Sequence, residues 1–248
     1  MIKNKILVVS DNEPVLRFFI DLIEEKQLAK DGRSFDFACA PWNKSLTGLE
    51  IGSYSIKAFD VKKNYNEIIK NYDLVISAHC KQLFPEPMTR GVKCINIHPG
   101  LNPFNRGWYP QVFSIINGLP LGATIHEIDE EIDHGAIVDQ IEVRINSYDT
   151  SLDAYSKVID AEKVILERSI ESILNDTYEA RPPKAEGNLN LKADFDALCE
   201  INLDEKVTFR EAINKLRALT HGDYKNAYFY DEKTKQKIWV SVELEVQE

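Results

Sequence analysis

Three side chains of this sequence, an amide, an imidazole and a carboxylate, are of the types that acyl transfer to an amine requires. Asn96 and His98 stand in the run Asn96-Ile-His98-Pro-Gly, and Asp133 stands in the run Ile-Asp133-His-Gly. An acyl-transfer site needs a donor that holds the oxyanion, a base that takes the nucleophile's proton, and a group that orients the base. Asn96, His98 and Asp133 can fill these three roles, with His98 mostly neutral at pH 7.

The local pattern predicts how Asn96 and His98 are positioned. Residues 92–97 form a predicted strand, and the single residue between Asn96 and His98 puts both side chains on one face of it. Pro99-Gly100 then opens a loop at the carboxyl end of that strand. Because ligands of open parallel sheets bind at this edge, the spacing predicts a site there.

Composition limits the class of protein. The 248 residues fit one large domain, or one of about 180 residues with a small appendage. With 44% hydrophobic residues the chain can form a sizeable core. A net charge of −10 argues against nonspecific nucleic-acid binding, although a local group of amides and basic side chains can still bind a small anion.

Neither a membrane segment nor a metal site is predicted. The apolar run at residues 6–9 is a buried strand, too short for a signal peptide or a membrane span. Cys39, Cys80, Cys94 and Cys199 lie far apart without a CxxC pair, so we interpret them as reduced thiols rather than metal ligands. We therefore expect a cytoplasmic protein with no membrane partner and no metal.

The first half of the chain alternates strand and helix patterns, which predicts a doubly wound, mainly parallel α/β sheet. Predicted strands are 5–9, 35–39, 56–59, 74–76 and 94–97, and predicted helices are 14–25 and 65–71. Further on we expect a helix over 108–117, strands over 123–128 and 136–143 around a tight loop, and a long helix. The run from Thr150 to Asp153, similar to a capping box, predicts where that long helix begins.

Three segments are predicted along the chain. Residues 1–180 form the expected catalytic domain, 181–208 a linker, and 209–248 a small C-terminal helix with a β-hairpin. The hairpin pairs 228–230 with 238–246, where apolar and polar residues alternate. An isolated hairpin is only marginally stable, so it packs on its own catalytic domain or on a second subunit, as in a homodimer.

The motifs together resemble the formyltransferases that use N10-formyltetrahydrofolate, over about residues 1–175. The resemblance rests on Asn96-Ile-His98-Pro-Gly-Leu-Asn-Pro, Gly122-Ala-Thr-Ile-His126 and Asp133-x-Gly135. It implies a Rossmann-like formyltransferase fold, a formyl oxygen polarised by Asn96, and His98 as general base. It also implies that Asp133 orients His98 or relays protons, and we interpret His79 and His126 as structural or supporting.

Two further stretches are similar to the sugar N-formyltransferases, which act on dTDP-linked amino-deoxysugars. Residues 77–85 read Ser-Ala-His-Cys-Lys-Gln-Leu-Phe-Pro, and residues 102–111 read Asn-Pro-Phe-Asn-Arg-Gly-Trp-Tyr-Pro-Gln. Glycinamide ribonucleotide enzymes are shorter and lack the run from Trp108 to Gln111, and methionyl-tRNA enzymes carry a larger, often basic C-terminal domain. The resemblance implies formylation of a dTDP-4-amino-4,6-dideoxyhexose of glucose configuration, for O-antigen or other surface lipopolysaccharide synthesis.

The resemblance also implies which residues hold the two substrates. Those implied for the folate donor are Leu83, Phe84, Ile128, Asp129, Ile132 and Asp133. Those predicted for the nucleotide sugar are Ser10, Asn12, Lys44, Lys81, Gln82, Asn105, Arg106, Trp108 and Tyr109. Ser10 and Asn12 flank the first strand-to-helix turn, where backbone amides can bind phosphate. Trp42, Tyr109 and Tyr224 are all candidates for stacking on thymine.

Two alternatives stay open on the sequence alone. One keeps the folate donor and changes the acceptor to a dTDP-3-amino sugar or a UDP-linked amino sugar, because the sequence does not show how the sugar is held. The other is a nonenzymatic, nucleotide-binding regulator that recruits a partner through its hairpin. The complete Asn, His and Asp set disfavours this second reading.

Overall fold

The computed structural model describes residues 4–30 and 32–247. Its strands are β1 (Lys5–Val9), β2 (Ser34–Cys39), β3 (Glu50–Ile51), β4 (Tyr54–Ala58), β5 (Leu74–Ala78), β6 (Lys93–His98), β7 (Arg106–Gly107), β8 (Leu121–Glu127), β9 (Ile137–Val143), β10 (Leu189–Asn190), β11 (Tyr228–Tyr230) and β12 (Lys237–Trp239). Its helices are α1 (Glu13–Glu25), α2 (Tyr65–Asn71), α3 (Glu86–Gly91), α4 (Pro110–Asn117), α5 (Ser151–Asn175), α6 (Lys192–Cys199) and α7 (Phe209–Leu219). Within the described ranges, no helix combines the length and the apolar character that crossing a bilayer requires.

The main sheet contains eight strands in the order β3-β4-β2-β1-β5-β6-β8-β9. The strands from β4 to β6 in that order run parallel, whereas β8 joins β6 in the antiparallel direction. The chain order reverses between β1 and β5, which is the switch point of a doubly wound sheet. The predicted α/β fold with a mainly parallel sheet is therefore confirmed.

Most predicted elements are present, with ends that differ by a few residues. The two-residue strand β3 and the short helix α3 have no counterpart in the sequence prediction, because such short segments show no clear period. The helix expected from residue 108 begins at Pro110, since Tyr109 adopts a left-handed backbone conformation with φ of 52°. Thr150 and Asp153 do form the expected cap, with the Asp153 carboxylate accepting the backbone N–H of Thr150 at 2.8 Å.

Helix α1 begins where the sequence predicts because its first turn is capped. Oδ1 of Asn12 accepts the backbone N–H of Val15 at 3.1 Å. Pro14 lies in the first turn, where an N–H would have no partner within the helix. The apolar face of α1, including Leu16 and Phe19, is buried. This packing fixes the turn that follows β1 at the carboxyl edge of the sheet.

The chain forms two compact units. Unit 1 consists of Met1–His98, Thr124–Gln140 and Glu162–Lys184. Unit 2 consists of Pro99–Ala123, Ile141–Ala161 and Ala185–Glu248. Unit 1 holds the parallel strands, and Leu7, Val75 and Met88 belong to a buried cluster in its core. The sequence-based division at residues 180 and 208 stays a prediction.

The segment 181–208, expected to form a linker, contains secondary structure from residue 189 onward, within unit 2. Strand β10 pairs in parallel with β7, and α6 follows it directly. Gly187 makes this packing possible, because a Cβ there would lie 1.9 Å from the carbonyl oxygen of Pro103. The one glycine of residues 181–208 thus serves close packing.

The C-terminal hairpin is present, and its second strand is shorter than predicted. Strands β11 and β12 pair antiparallel, with Tyr228 opposite Trp239. The strand expected to reach residue 246 ends at Trp239, because the next N–H groups bond elsewhere in unit 2. Val240 donates to the carbonyl of Ala227 at 2.9 Å, and Val242 donates to Oγ1 of Thr220 at 3.2 Å. The alternating pattern remains as half-buried apolar and exposed polar residues along 240–245.

A tight loop between β8 and β9 carries Asp133. The backbone N–H of Ile128 donates to the carbonyl of Cys94 at 2.9 Å, which ties the start of this loop to β6. A Cβ at Gly135 would lie 1.9 Å from the carbonyl oxygen of Glu127. Only glycine therefore lets the loop return this close to the end of β8.

Gly135→Ala is expected to lower the free energy of unfolding by about 2 kcal/mol, because the added methyl group overpacks against fixed backbone. Urea denaturation followed by fluorescence measures this change. Gly48→Asn is the matched control, since a Cβ at Gly48 meets nothing within 4 Å and its φ of 79° is one that asparagine tolerates. Equal destabilisation by the two substitutions would contradict the packing argument.

Candidate active site

Strand register brings polar side chains together in unit 1. Ser77 of β5 is paired with Asn96 of β6, and Asn96 is paired with His126 of β8. Two residues further along β6, His98 is paired with Thr124. Because neighbours in register share a face of a sheet, these side chains project from the same face. Asn96 and His98 thus lie side by side near the carboxyl end of β6, as their spacing predicts.

Asn96 is in direct contact with Asp133. Nδ2 of Asn96 donates to Oδ1 of Asp133 at 3.0 Å and lies 3.1 Å from Nε2 of His126. Asn96 as a whole is half-buried. The predicted oxyanion donor and the predicted orienting carboxylate are therefore adjacent.

His98 has one ring nitrogen that could take up a proton. The residue is buried, with 4% exposure, and its Nδ1 lies 3.4 Å from Oδ2 of Asp133. A carboxylate only accepts hydrogen bonds, so this contact places the ring proton of neutral His98 on Nδ1. Nε2 is buried and has no hydrogen-bond partner among the described residues. Its lone pair is therefore uncommitted within the described part of the chain.

Burial lowers the pKa of His98 to about 4. The Asp133 carboxylate opposes this by raising the pKa, and the neighbouring His126 and His79 lower it further. The ring of His98 is consequently uncharged at neutral pH. A base of such low pKa takes a proton only from an amine made acidic by its attack on a carbonyl, so its action depends on close positioning.

Asp133, in the loop between β8 and β9, lies close to both Asn96 and His98. Its backbone has a φ of 50°, in the left-handed region that non-glycine residues rarely occupy. Its side chain is 14% exposed, with Oδ2 toward His98, while Oδ1 lies 3.5 Å from Nε2 of His126. Strained conformations of this kind occur at functional sites. One carboxylate thus connects the candidate base with the candidate oxyanion donor.

Glu162 forms a second buried pair that the sequence reasoning did not find. His79 follows β5 directly, and its Nε2 lies 2.7 Å from Oε2 of Glu162 on α5. Both side chains are buried, with 9% and 5% exposure. The signal was present in the sequence, since Glu162 falls at helical spacing between Ile159 and Leu166 on the apolar face of α5.

The residues implied for the folate donor lie on two segments of unit 1. The side chain of Leu83 is 73% exposed, whereas Phe84 and Ile128 are half-buried and pack against the core cluster. Asp129 bonds within its own loop, where its Oδ1 accepts the N–H of Glu131 at 3.0 Å. Ile132 and Asp133 follow in the same loop, both half-buried. These segments present apolar side chains together with backbone groups, which suits a flat heteroaromatic ring.

In the turn after β1, the side-chain carboxylate of Asp11 accepts the nearby backbone N–H groups. Ser10 is fully buried, and Asn12 caps α1. Between them, Asp11 accepts the backbone N–H of Ala40 at 2.9 Å and that of Lys81 at 2.8 Å. Two amides that could bind a phosphate therefore already donate to Asp11, which joins the ends of β1, β2 and β5.

The remaining polar candidates of unit 1 differ in their exposure. Lys44 and Lys81 lie in loops after β2 and β5, and both are exposed. Gln82 is instead held by backbone, since its Oε1 accepts the N–H of Val61 at 3.1 Å and its Nε2 donates to Phe59 at 2.9 Å. The two lysines are therefore better placed to meet an anionic ligand than Gln82.

Asn105 and Arg106 lie in unit 2 within a buried polar network. Asn105 is fully buried and has a left-handed backbone with φ of 50°. Its side chain forms hydrogen bonds with Ser114, Asn117, Asn188 and Asn190. Arg106 is 5% exposed and donates to Glu186 at 3.1 Å. These contacts join the loop around residue 105 to residues 186–190, which is a structural position.

The aromatic candidates of unit 2 form a partly exposed cluster. The ring of Tyr109 lies 5.6 Å from that of Trp108 and 4.1 Å from that of Phe195, between centroids. Trp108 is 37% exposed and Tyr224 is 73% exposed. Both can stack on a planar ligand. Trp42, which belongs to unit 1, is also exposed, at 61%.

Two protein-family models match this chain. A model described as "Formyl transferase" matches residues 55–170, which include Asn96, His98 and Asp133. A second, described as "N-formyltransferase dimerization C-terminal domain", matches residues 194–246.

The chain is 49% identical over 186 residues to a dTDP-4-amino-4,6-dideoxyglucose formyltransferase of Mycobacterium tuberculosis, which covers 75% of this chain and 79% of that one. It therefore belongs to the formyl transferase family, and it is an enzyme of the N-formyltransferase type. A 4-N formyltransferase from Francisella tularensis is similar over its full length, with a TM-score of 0.92, 49% identity and coverage of 98% and 99%. An N-formyltransferase from Helicobacter canadensis, crystallised with folinic acid and dTDP-3-aminofucose, shares the fold, with a TM-score of 0.66, 24% identity and coverage of 95% and 86%.

His98 gives stability a predicted pH dependence. Because its pKa falls from 6.5 to about 4 on folding, the unfolded chain binds this proton more tightly. The contribution of neutral His98 is fully present above pH 6.5 and is lost as the pH falls through 4. His98→Asn is therefore expected to lose stability less steeply than the wild type over that range, in urea unfolding curves recorded at successive pH values. Parallel slopes for the two proteins would contradict the assignment.

Proposed function

We propose that this protein transfers a formyl group from N10-formyltetrahydrofolate to the amine of a dTDP-4-amino-4,6-dideoxyhexose of glucose configuration. The observation that carries the proposal is that the Asn96 amide and the bare Nε2 of His98 belong to residues two apart on β6, which share one face of the sheet. The name of the Mycobacterium tuberculosis relative supports this acceptor, because that protein is 49% identical. The Francisella tularensis relative supports the 4-amino position.

His98 acts on the attacking amine. The amine attacks the formyl carbon as the free base, so the new nitrogen–carbon bond leaves the nitrogen positively charged and strongly acidic. Nε2 of His98 takes one proton from it, and the Asp133 carboxylate, 3.4 Å from Nδ1, stabilises the imidazolium that results. His98 then returns this proton to the departing folate nitrogen, so that the base is regenerated in each turnover.

Asn96 acts on the formyl oxygen. As the amine adds, negative charge develops on this oxygen, and an amide N–H pointed at it stabilises that charge. The half-buried position of Asn96 keeps its amide within reach of a ligand while its other contacts fix its direction. When the tetrahedral intermediate collapses, the bond between the formyl carbon and the folate nitrogen breaks, and the formamide and tetrahydrofolate are formed.

The folate donor fits the apolar segments of unit 1. Leu83, Phe84 and Ile132 would bound the faces of the pteridine, and backbone groups of residues 128–133 would meet its polar edge. The donor supplies an activated formyl group, and the chain's own residues do the proton transfer. The ligands of the Helicobacter canadensis structure support a folate-type donor for this fold.

The nucleotide part of the acceptor requires contacts with residues other than Asn96, His98 and Asp133. We assign the pyrophosphate to the exposed Lys44 or Lys81 of unit 1, and stacking on thymine to Trp42, which is 61% exposed in the same unit. The product would enter surface-polysaccharide synthesis, and we place the reaction in the cytoplasm, where the four free cysteines stay reduced.

We further propose a homodimer formed through residues 194–246, the segment that matches the dimerization family. Large apolar side chains are exposed there, with Phe209 at 89%, Trp239 at 45% and Val246 at 61%. Exposed apolar surface of this extent in a single segment is typical of a protein interface.

The acceptor is identified by a parallel assay. Purified protein with N10-formyltetrahydrofolate is expected to formylate dTDP-4-amino-4,6-dideoxyglucose, and to leave its 3-amino isomer, a UDP-linked 4-amino sugar and glycinamide ribonucleotide largely unchanged. Tetrahydrofolate release and product mass are followed together. Formylation of another acceptor in preference would contradict the substrate assignment, and dTDP binding without any turnover would favour the regulator reading.

Asn96→Ala is the catalytic control for that assay. It is expected to lower kcat by about 10²- to 10³-fold, because one oxyanion donor is lost, while thermal unfolding stays cooperative. Turnover close to that of the wild type would remove Asn96 from the mechanism.

The oligomeric state is tested by light scattering coupled to gel filtration. The wild type is expected at about twice the chain mass of 28.4 kDa, and Phe209→Glu is expected to shift toward the single chain mass. Val164→Glu is the matched control, since Val164 is 48% exposed but lies outside the matched segment. Equal masses for all three proteins would contradict an interface at Phe209.

A further inference from the structure

The ring of His126 has a defined tautomer. It is 1% exposed, and its Nδ1 lies 2.7 Å from the carbonyl oxygen of Glu127. A carbonyl oxygen only accepts hydrogen bonds, so Nδ1 carries a proton. In the neutral ring, Nε2 then has a lone pair, and this nitrogen lies 3.1 Å from Nδ2 of Asn96. His126 therefore accepts a hydrogen bond from Asn96.

The amide of Asn96 consequently has one favourable orientation. Its Nδ2 lies between two acceptors, Nε2 of His126 and Oδ1 of Asp133, the second at 3.0 Å. Turning the amide over would place its oxygen against a lone pair and a carboxylate with no proton between them. Each hydrogen of Nδ2 is thus committed to one acceptor. For Asn96 to donate to a formyl oxygen, one of these two bonds must be exchanged.

The two acceptors, His126 and Asp133, differ in how strongly the surrounding structure fixes their positions. His126 lies within β8, directly opposite Asn96 in the register, and its other ring nitrogen is tied to backbone. Asp133 lies in a loop in a left-handed conformation, and its side chain is 14% exposed. Its carboxylate also has a second oxygen that faces His98. The bond to Asp133 is therefore the one that can be exchanged at lower cost.

We propose that His126 is a positioning residue for formyl transfer: it holds one hydrogen of the Asn96 amide throughout the reaction, while Asp133 releases the other hydrogen to the developing oxyanion. This inference rests on the proposed function. It adds no bond-making or bond-breaking step, because only a hydrogen bond moves from Oδ1 of Asp133 to the formyl oxygen. Oδ2 of Asp133 remains toward His98, where positive charge develops at the same stage.

The proposal requires a neutral His126. Its ring centroid lies 6.1 Å from that of His98, so a positive charge on His126 would oppose proton uptake by His98. A proton on Nε2 would also remove the acceptor that orients Asn96. The other ionisable groups of this neighbourhood are Asp133, His79 with Glu162, and Glu127, whose carboxylate is engaged by Lys93 at 2.6 Å.

Nitrogen-15 NMR of the histidine rings tests the geometry without any substrate. Protonated and bare ring nitrogens differ widely in chemical shift, and the chain has only five histidines, so His126→Gln identifies the His126 signals. We expect a proton on Nδ1 of His126 and none on Nε2 at pH 7. Asn96→Ala is expected to move the Nε2 signal, because its hydrogen bond is lost, and to leave Nδ1 protonated. A proton on Nε2 in the wild type would overturn the proposal, whatever the protein's substrate.

Steady-state kinetics test the role in catalysis. His126→Leu is expected to lower kcat by about 10- to 100-fold, part of the effect of losing the oxyanion donor, with KM for the acceptor changed less than about 3-fold. His126→Gln keeps an oxygen that can accept from Asn96, so it is expected to retain more activity than His126→Leu. When His126→Leu is added to the Asn96→Ala variant, kcat is expected to fall by less than about a further 2-fold.

The outcomes separate the two proposals. If His126→Leu lowers kcat by the same factor in the wild type and in the Asn96→Ala variant, His126 acts through folding or through His98. That result would overturn the positioning role. Thermal unfolding of each variant verifies that the rates refer to folded protein. Absence of wild-type turnover would overturn the proposed function, and the NMR result would then decide the His126–Asn96 contact by itself.

Discussion

The antiparallel hydrogen-bond ladder between β6 and β8 is the constraint on which the rest of the candidate site depends. Parallel pairing with β5 places Ser77 beside Asn96, and antiparallel pairing with β8 brings a second stretch of sequence to the other side of β6. Here, one strand reversed at the side of a parallel array places His126 opposite Asn96 and Thr124 opposite His98. The loop that follows β8 then carries Asp133 back over the same face. One pairing therefore aligns three separate stretches of sequence.

Burial in this site determines both the protonation state of His98 and the orientation of the neighbouring rings and amide. Removing His98 from water keeps it uncharged, even though a carboxylate lies 3.4 Å away. The same low exposure makes each misplaced donor or acceptor costly, so the ring and amide orientations are specified by their partners. The His79–Glu162 pair adds a further buried polar contact on the side of β5. Such networks stabilise the protein only when nearly every member is satisfied, which couples the fold to the chemistry.

Local sequence pattern predicted what depends on local geometry. Alternation in β6 predicted the shared face of Asn96 and His98, and Pro14 indicated where α1 begins. Contacts between residues far apart in the sequence could not be predicted from local patterns. Nothing local marks His126 as the partner of Asn96, because that pairing depends on strand register. Asn105 was interpreted as a substrate contact, yet it lies buried in a network with residues about 80 positions away. The resemblance supplied the family, and only the structure separated exposed candidates such as Lys44 from buried ones.

The carboxylate of Asp11 has a consequence for selectivity. It occupies the switch point, where doubly wound folds commonly bind phosphate, and it takes the backbone hydrogens that an anion would use there. A small phosphorylated amine that approached this edge would meet a fixed negative charge and lose its anchor. Acceptors whose phosphates lie far from the amine do not incur this repulsion. Two backbone donors at this edge are thus already taken by the Asp11 side chain, and a compact phosphate ester would have to displace it to use them.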